Sequence, residues 1–214
     1  RAQHRHLFLG LPVLAGPESR FTVAAIPRAP GKGRRKPRAG PRPLRAAAKI
    51  KVARLFKVVL INPYELGRQP FALAQPAAWL KREGFAVNCF DLSLQKLDPE
   101  ILEDAGLVAL YVGMHTATRI AVQALPRVKQ LAPKAHLCVY GLYAPMNEAL
   151  LRGLGVGTIL GGEVEPALLS ICQRLRINGN SMAQREPVIS LGRIPFEVPD
   201  RSGLPKLSRY AHLV

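Results

Sequence analysis

The sequence predicts an α/β fold: a five-stranded, parallel, doubly wound sheet that follows a basic, disordered N-terminal extension. Three observations carry this. Short apolar runs rich in β-branched residues alternate with helix-length segments between residues 56 and 176. Those runs lack the alternation of a half-exposed strand, so both of their faces are buried. Five strand–helix units in succession require parallel pairing through right-handed crossovers, with helices on both faces of the sheet.

The first strand is "FKVVLIN", which stops at Asn62-Pro63. "PFALAQPAAWLKREG" follows as a helix closed by Gly84, with Leu73, Ala77 and Leu80 at helical spacing. Pro76 suits that helix only in its first turn, which predicts a start near Gln75. "FAVNCFD" is the second strand, and "DPEILEDA" a short helix with Asp98 as N-cap and Pro99 at its first position. "GLVALYVG" is the third strand. "TATRIAVQALPRVKQLAP" is the third helix, with Ile120, Ala124, Val128 and Leu131 on one face and a kink at Pro126. "AHLCVYG", "APMNEALLRG", "VGTILGG" and "EPALLSICQRLR" complete the fourth and fifth units.

Composition bounds the rest. The chain has 214 residues and is 48% hydrophobic, enough for one ordinary core. No apolar run reaches the roughly 18 residues of a membrane helix, so no membrane partner is expected. Cys89, Cys138 and Cys172 are odd in number and widely spaced, which suggests neither a disulfide framework nor a zinc site. They read as small buried residues of a reducing compartment, hence cytoplasmic. The net charge is +17, but residues 1–57 hold 15 Lys/Arg against the single acid Glu18, while residues 58–214 hold 16 against 13. The basicity therefore belongs to the extension, residues 1–54, whose "PRAPGKGRRKPRAGPRPLR" cannot bury enough surface to order itself. A nucleic-acid tail, a transit peptide, an interaction arm and upstream sequence read into the frame all remain open for it. Nucleic acid ranks low because no aromatic residues are interleaved for base stacking.

Residues 55–178 are then the folded domain, and 179–214 a linker and connector. Two strand orders suit the domain, a flavodoxin-like 2-1-3-4-5 and a Rossmann-like half. Either binds ligands outside the carboxyl ends of the strands, where the loops "NPYELGRQP", "GMHTAT", "YGLYAP" and "GGEVEP" lie. No Gly-x-Gly-x-x-Gly follows the first strand and no P-loop is present. The third strand does not end on an aspartate that would accept a phosphoryl group. The edge instead offers Gly113, Gly141, Gly161 and Gly162, with Thr116 and Thr118. Glycines there allow a bulky flat ligand to approach the backbone.

Segments "NPYELGRQPFALAQPAAWLKREGF", "VALYVGMHTATRIA", "HLCVYGLYAP" and "VGTILGGEVEPAL" resemble the cobalamin-binding domain at the N-terminus of many radical SAM enzymes. The cobalamin motif of that family, Asp-x-His-x-x-Gly, overlays on Asn62 to Gly67. Gly67 matches; Tyr64 stands where the cobalt-ligating histidine would be, and Asn62 where the aspartate would be. The resemblance implies a corrin across the carboxyl edge and a nucleotide tail between the sheet and its helices, with Gly141, Gly161 and Gly162 making room. It gives ligand-facing roles to Tyr64, Glu65, Gly67, His115, Thr116, Thr118 and Glu163. Each has a plainer reading. Tyr64 packs on the first helix, Glu65 pairs with Arg68 in solvent, His115 is solvated, and Glu163 and Glu165 complement the N-terminus of the fifth helix.

The leading expectation is thus a cobalamin-binding module of a cobalamin-dependent radical SAM enzyme, a group whose reactions include methyl transfer. The module holds no nucleophile–base pair and no metal-ligand cluster of its own. The alternative is a flavodoxin-like docking domain without cofactor; a weaker one is nucleic-acid binding through the basic tail. The stretch "IPFEVPDRSGLPKLSRYAHLV" has too many breakers for a sixth strand–helix unit. It resembles the connector into the radical SAM domain, where a cysteine triplet holds a 4Fe-4S cluster that binds S-adenosylmethionine. The three cysteines here are scattered, so the expectation is the front part of a longer protein, with that domain in cis beyond residue 214.

Overall fold

A computed structural model of the chain describes residues 55–179 and 187–211. The basic extension, read as disordered from its composition, lies outside the described residues. β1 (Lys57–Asn62), β2 (Ala86–Asp91), β3 (Leu107–Tyr111), β4 (His136–Tyr140), β5 (Thr158–Gly162) and β6 (Val188–Ser190) form one parallel sheet. Their order is β2-β1-β3-β4-β5-β6. The flavodoxin-like order therefore holds over the Rossmann-like half, and the count rises from five strands to six. β6 escapes sequence reading because it has three residues, two of them exposed, and pairs through backbone alone.

Strand alternation divides the core in two. Val58 and Leu60 face α1 (Phe71–Arg82) and α5 (Glu165–Asn178), packing with Leu73, Ala77, Leu80, Leu168 and Cys172. Val59 and Ile61 face the other way, toward α2 (Pro99–Glu103), α3 (His115–Leu131) and α4 (Glu148–Gly153), where Leu102, Ala121, Leu125 and Leu151 meet them. Burying each such aliphatic side chain contributes about 1.5–3 kcal/mol. All three cysteines are buried free thiols, and burial pushes Cys89 and Cys172 each up to about 12.

Several boundaries differ from the sequence reading. α2 begins as expected, the Asp98 carboxylate accepting from the Glu100 N–H at 2.9 Å. α1, however, starts at Phe71 rather than near Gln75, and Pro76 sits inside it. A proline there withholds the N–H that would reach the carbonyl of Ala72, four residues back. The Tyr140 hydroxyl, arriving from the end of β4, donates to that carbonyl at 2.8 Å, so the helix continues. α3 runs through Pro126, and its buried stripe is Ala117, Thr118, Ala121, Leu125 and Val128. Of the predicted face only Val128 is fully buried; Ile120, Ala124 and Leu131 lie at its margin. The small side chains of Ala117 and Ala121 face the sheet, where the sequence reading favoured larger ones.

After β6 the chain crosses α1 and returns to the β1–α1 loop. The Asp200 N–H donates to Ala74 O at 2.9 Å, and the Ala211 N–H to Gly67 O at 2.9 Å. Tyr210 is buried, whereas Phe196, Val198 and Leu207 remain exposed. Among the described residues no helix is long and apolar enough to cross a membrane.

Candidate functional site

The parallel order puts the switch between crossovers at β1 and β3, and three features surround the carboxyl edge there. The first is a slot between α1 and α5, of about 150 Å³, walled by Phe71, Pro76, Tyr111, Tyr140, Gly141 and Glu165. Tyr111 and Tyr140 are register partners at the ends of β3 and β4. Their rings lie 5.6 Å apart, tilted by 48°. A second pocket of about 310 Å³ shares Phe71, Glu163 and Glu165 with the slot and adds Gln75, Arg193 and Phe196. Phe196 stacks on Phe71, centroids 6.2 Å apart. Burial pushes the Tyr111 phenol up, with Glu65 adding to it. Burial also raises the Glu165 carboxyl, opposed by backbone N–H groups at the start of α5 and reinforced by Glu163. The arrangement is an aromatic-walled crevice that two carboxylates, Glu163 and the buried Glu165, also line.

The second feature is the β1–α1 loop. Tyr64 and Glu65 are half-buried, and Arg68 is exposed. Leu66 has φ +50° and Gly67 +74°, the sharp turn that brings the chain from β1 toward α1. Burial raises the Glu65 carboxyl, the Asp91 carboxylate raises it further, and Arg68 opposes both. Asp91 ends β2 beside Asn62, whose amide donates to it at 3.3 Å. The oxygen of Asn62 and one oxygen of Glu65 are buried with no partner.

The third feature is a groove of about 470 Å³ between α3 and α4, with His115, Thr118, Arg119, Tyr143 and Met146 in its wall. It lies on the α3 side of the sheet, opposite the slot. His115 opens α3 instead of belonging to the preceding loop. The Thr118 hydroxyl is turned back to Met114 O at 3.0 Å, and Thr116 is exposed.

The predicted site residues therefore divide. Gly141, Gly162 and Glu163 line the slot; Tyr64, Glu65 and Gly67 form the loop; His115 and Thr118 line the far groove. Side chains added at the strand-end glycines would meet protein atoms first. A Cβ on Gly141 would meet the Tyr111 ring and Val112 O at 2.8 Å, and one on Gly161 would meet Pro145 at 2.7 Å. One on Gly162 would strike the Ser190 carbonyl of β6. These glycines let protein pack against protein. Sequence reasoning missed Phe71, Tyr111 and Tyr140. The available signal was two tyrosines ending adjacent strands in otherwise aliphatic runs, with a proline one helix away.

No family model matches the chain, and no curated protein matches it in sequence. Among solved structures, the radical S-adenosylmethionine methyltransferase TsrM from Kitasatospora setae, with tryptophan substrate and SAM analog, shares 22% identity at a TM-score of 0.48, covering 56% of this chain and 25% of that one. The same enzyme with cobalamin and its 4Fe-4S cluster gives 21% and 0.48, covering 56% and 24%. A CheY-like response regulator receiver domain protein from Methanospirillum hungatei JF-1 gives 14% and 0.43, covering 57% and 94%. The chain thus spans about a quarter of the methyltransferase's length.

Proposed function

We propose that the described domain is a cobalamin-binding module that serves a radical SAM catalytic domain in the same polypeptide. The observation that carries this reading is the aromatic slot between α1 and α5, at the place where the sequence resemblance puts the cofactor's nucleotide tail. A planar heterocycle suits walls made by Tyr111, Tyr140 and Phe71. With its neighbour of about 310 Å³ the slot reaches the range of small-ligand sites, about 300–1,000 Å³. The residues present thus fit the tail, and the Tyr64-bearing loop would face the corrin. Cobalamin, when bound, supplies a cobalt centre able to carry a methyl group. This chain's residues bind and orient it, and none of those in the loop supplies an imidazole to the metal.

A docking domain without cofactor is the second reading, favoured by exposed Ile189 in the edge strand β6 and Leu191 just after it. Titrating the full chain with hydroxocobalamin, followed by absorbance, separates the two. Saturable binding that weakens at least tenfold in Tyr111→Ala supports the module. No spectral change at high micromolar concentration, with a native circular dichroism spectrum, overturns it and leaves the docking domain.

A further inference from the structure

Asn62 and Asp91 end β1 and β2 side by side, as register partners on the carboxyl edge. Asp91 is 1% exposed and Asn62 0%. The Asp91 carboxylate accepts from the Ser93 N–H at 3.1 Å and from the Asn62 amide at 3.3 Å. Among the described residues no lysine or arginine forms an ion pair with it. A carboxylate buried so deeply without a cation is costly.

Glu65 brings a second negative charge to the same place. One of its oxygens is buried without a partner. The nearness of the two carboxylates shows in the further rise that Asp91 imposes on the Glu65 carboxyl, which Arg68 only opposes. The third oxygen belongs to Asn62. Its Nδ2 faces the Asp91 carboxylate, which fixes the amide's orientation, since the reverse would set oxygen against oxygen. Oδ1 is thereby left a few ångströms from that carboxylate, buried and without a donor. The Tyr210 phenol, 6% exposed, stands beside Asp91 and shields it from bulk water.

The occupant that suits this cluster must be small, because no large ligand reaches an atom of the fully buried Asn62. A water molecule could donate to two of the oxygens, yet it leaves both carboxylates uncompensated. A hard cation meets both needs, for carboxylate and amide carbonyl oxygens are its preferred ligands. With two carboxylates and neither imidazole nor thiolate, the set matches Mg2+, which binds through one or two carboxylates and keeps several waters. We propose that Asn62 Oδ1, Glu65 and Asp91 form a binding site for a hard divalent cation of the Mg2+ or Mn2+ type. The ion neutralises the two carboxylates and ties the β1–α1 loop to the ends of β1 and β2. The site stands whether or not the domain binds cobalamin.

The test is a titration of the full chain, stripped with EDTA and dialysed, with Mn2+, the free ion being read by electron paramagnetic resonance. One Mn2+ per chain should leave the free signal and be displaced by Mg2+. Glu65→Gln and Asp91→Asn should each weaken binding at least tenfold. Asn62→Asp adds a carboxylate and should bind Mn2+ at least tenfold more tightly than the parent. Its thermal midpoint, below the parent's in EDTA, should rise further with MgCl2 than the parent's does, and NaCl at the same ionic strength should not reproduce that rise. Absence of stoichiometric binding overturns the proposal, as does binding that is unchanged in both Glu65→Gln and Asn62→Asp, or a rise that NaCl matches. If circular dichroism shows that Asp91→Asn does not fold, the other two variants decide.

Discussion

Glu65 shows how a loop carboxylate becomes costly to ionise. Burial and the nearby Asp91 carboxylate outweigh Arg68, so its proton is held more tightly folded than unfolded. The folded state then binds more protons than the unfolded one just above the ordinary carboxylate range, and stability falls as pH rises through that window. Glu65→Gln should therefore raise the thermal midpoint at pH 7, with the difference closing below about pH 4, the unperturbed glutamate range. A variant less stable than the parent at pH 7 would show that the ionised carboxylate is a favourable partner after all. Gly162 makes the opposite case, a residue needed for the space it leaves. Its φ is +71°, and a Cβ would collide with the Ser190 carbonyl that accepts from the Glu163 N–H at 2.7 Å. Gly162→Ala should cost about 1–3 kcal/mol from backbone strain alone and free the Glu163 amide for exchange. Retained stability and protection would mean that β6 shifts without cost.

At the scale of elements, Pro76 and Tyr140 form one device. The proline removes a helix donor and the phenol replaces it on Ala72 O. Tyr140→Phe should cost about 1 kcal/mol, the net worth of a typical hydrogen bond, in urea unfolding. In a Pro76→Ala background, where the helix supplies its own N–H, the same substitution should cost measurably less. Equal costs would show that the hydroxyl and the proline are independent. This coupling also explains what the sequence made legible and what it did not. The strands were readable because runs such as "VVLI" are apolar on both faces, and Asp98-Pro99 announced α2 by local chemistry. The start of α1 was not readable, since the partner that tolerates Pro76 lies 64 positions away in sequence on another strand. The face of α3 was misassigned by about one position because alanines, which carry little hydrophobic signal, are the residues that touch the sheet.

At the scale of the whole molecule, the carboxyl edge was foreseeable from the alternation of strands and helices, while the assembly of the site was not. Sequence order places His115 and Thr118 with the other edge residues; the sheet puts them on the side opposite the slot. The segment after β6 was legible only as apolar residues too numerous for a solvated tail, and Asp200 is one of the residues that hold it to α1. Partial burial pushes that carboxyl up, but Lys81 and Ser202 prevail and hold it at about 2. In the proposed function the slot receives a cobalamin tail and no histidine of this chain reaches the cobalt. Electron paramagnetic resonance of the cob(II)alamin-loaded chain tests both at once. A bound, base-off spectrum without nitrogen superhyperfine splitting is expected, because the proposed site would sink the tail between α1 and α5 and Tyr64 holds the motif position. An axial-nitrogen splitting that disappears in His115→Ala, or a spectrum identical to that of free cob(II)alamin, would contradict it.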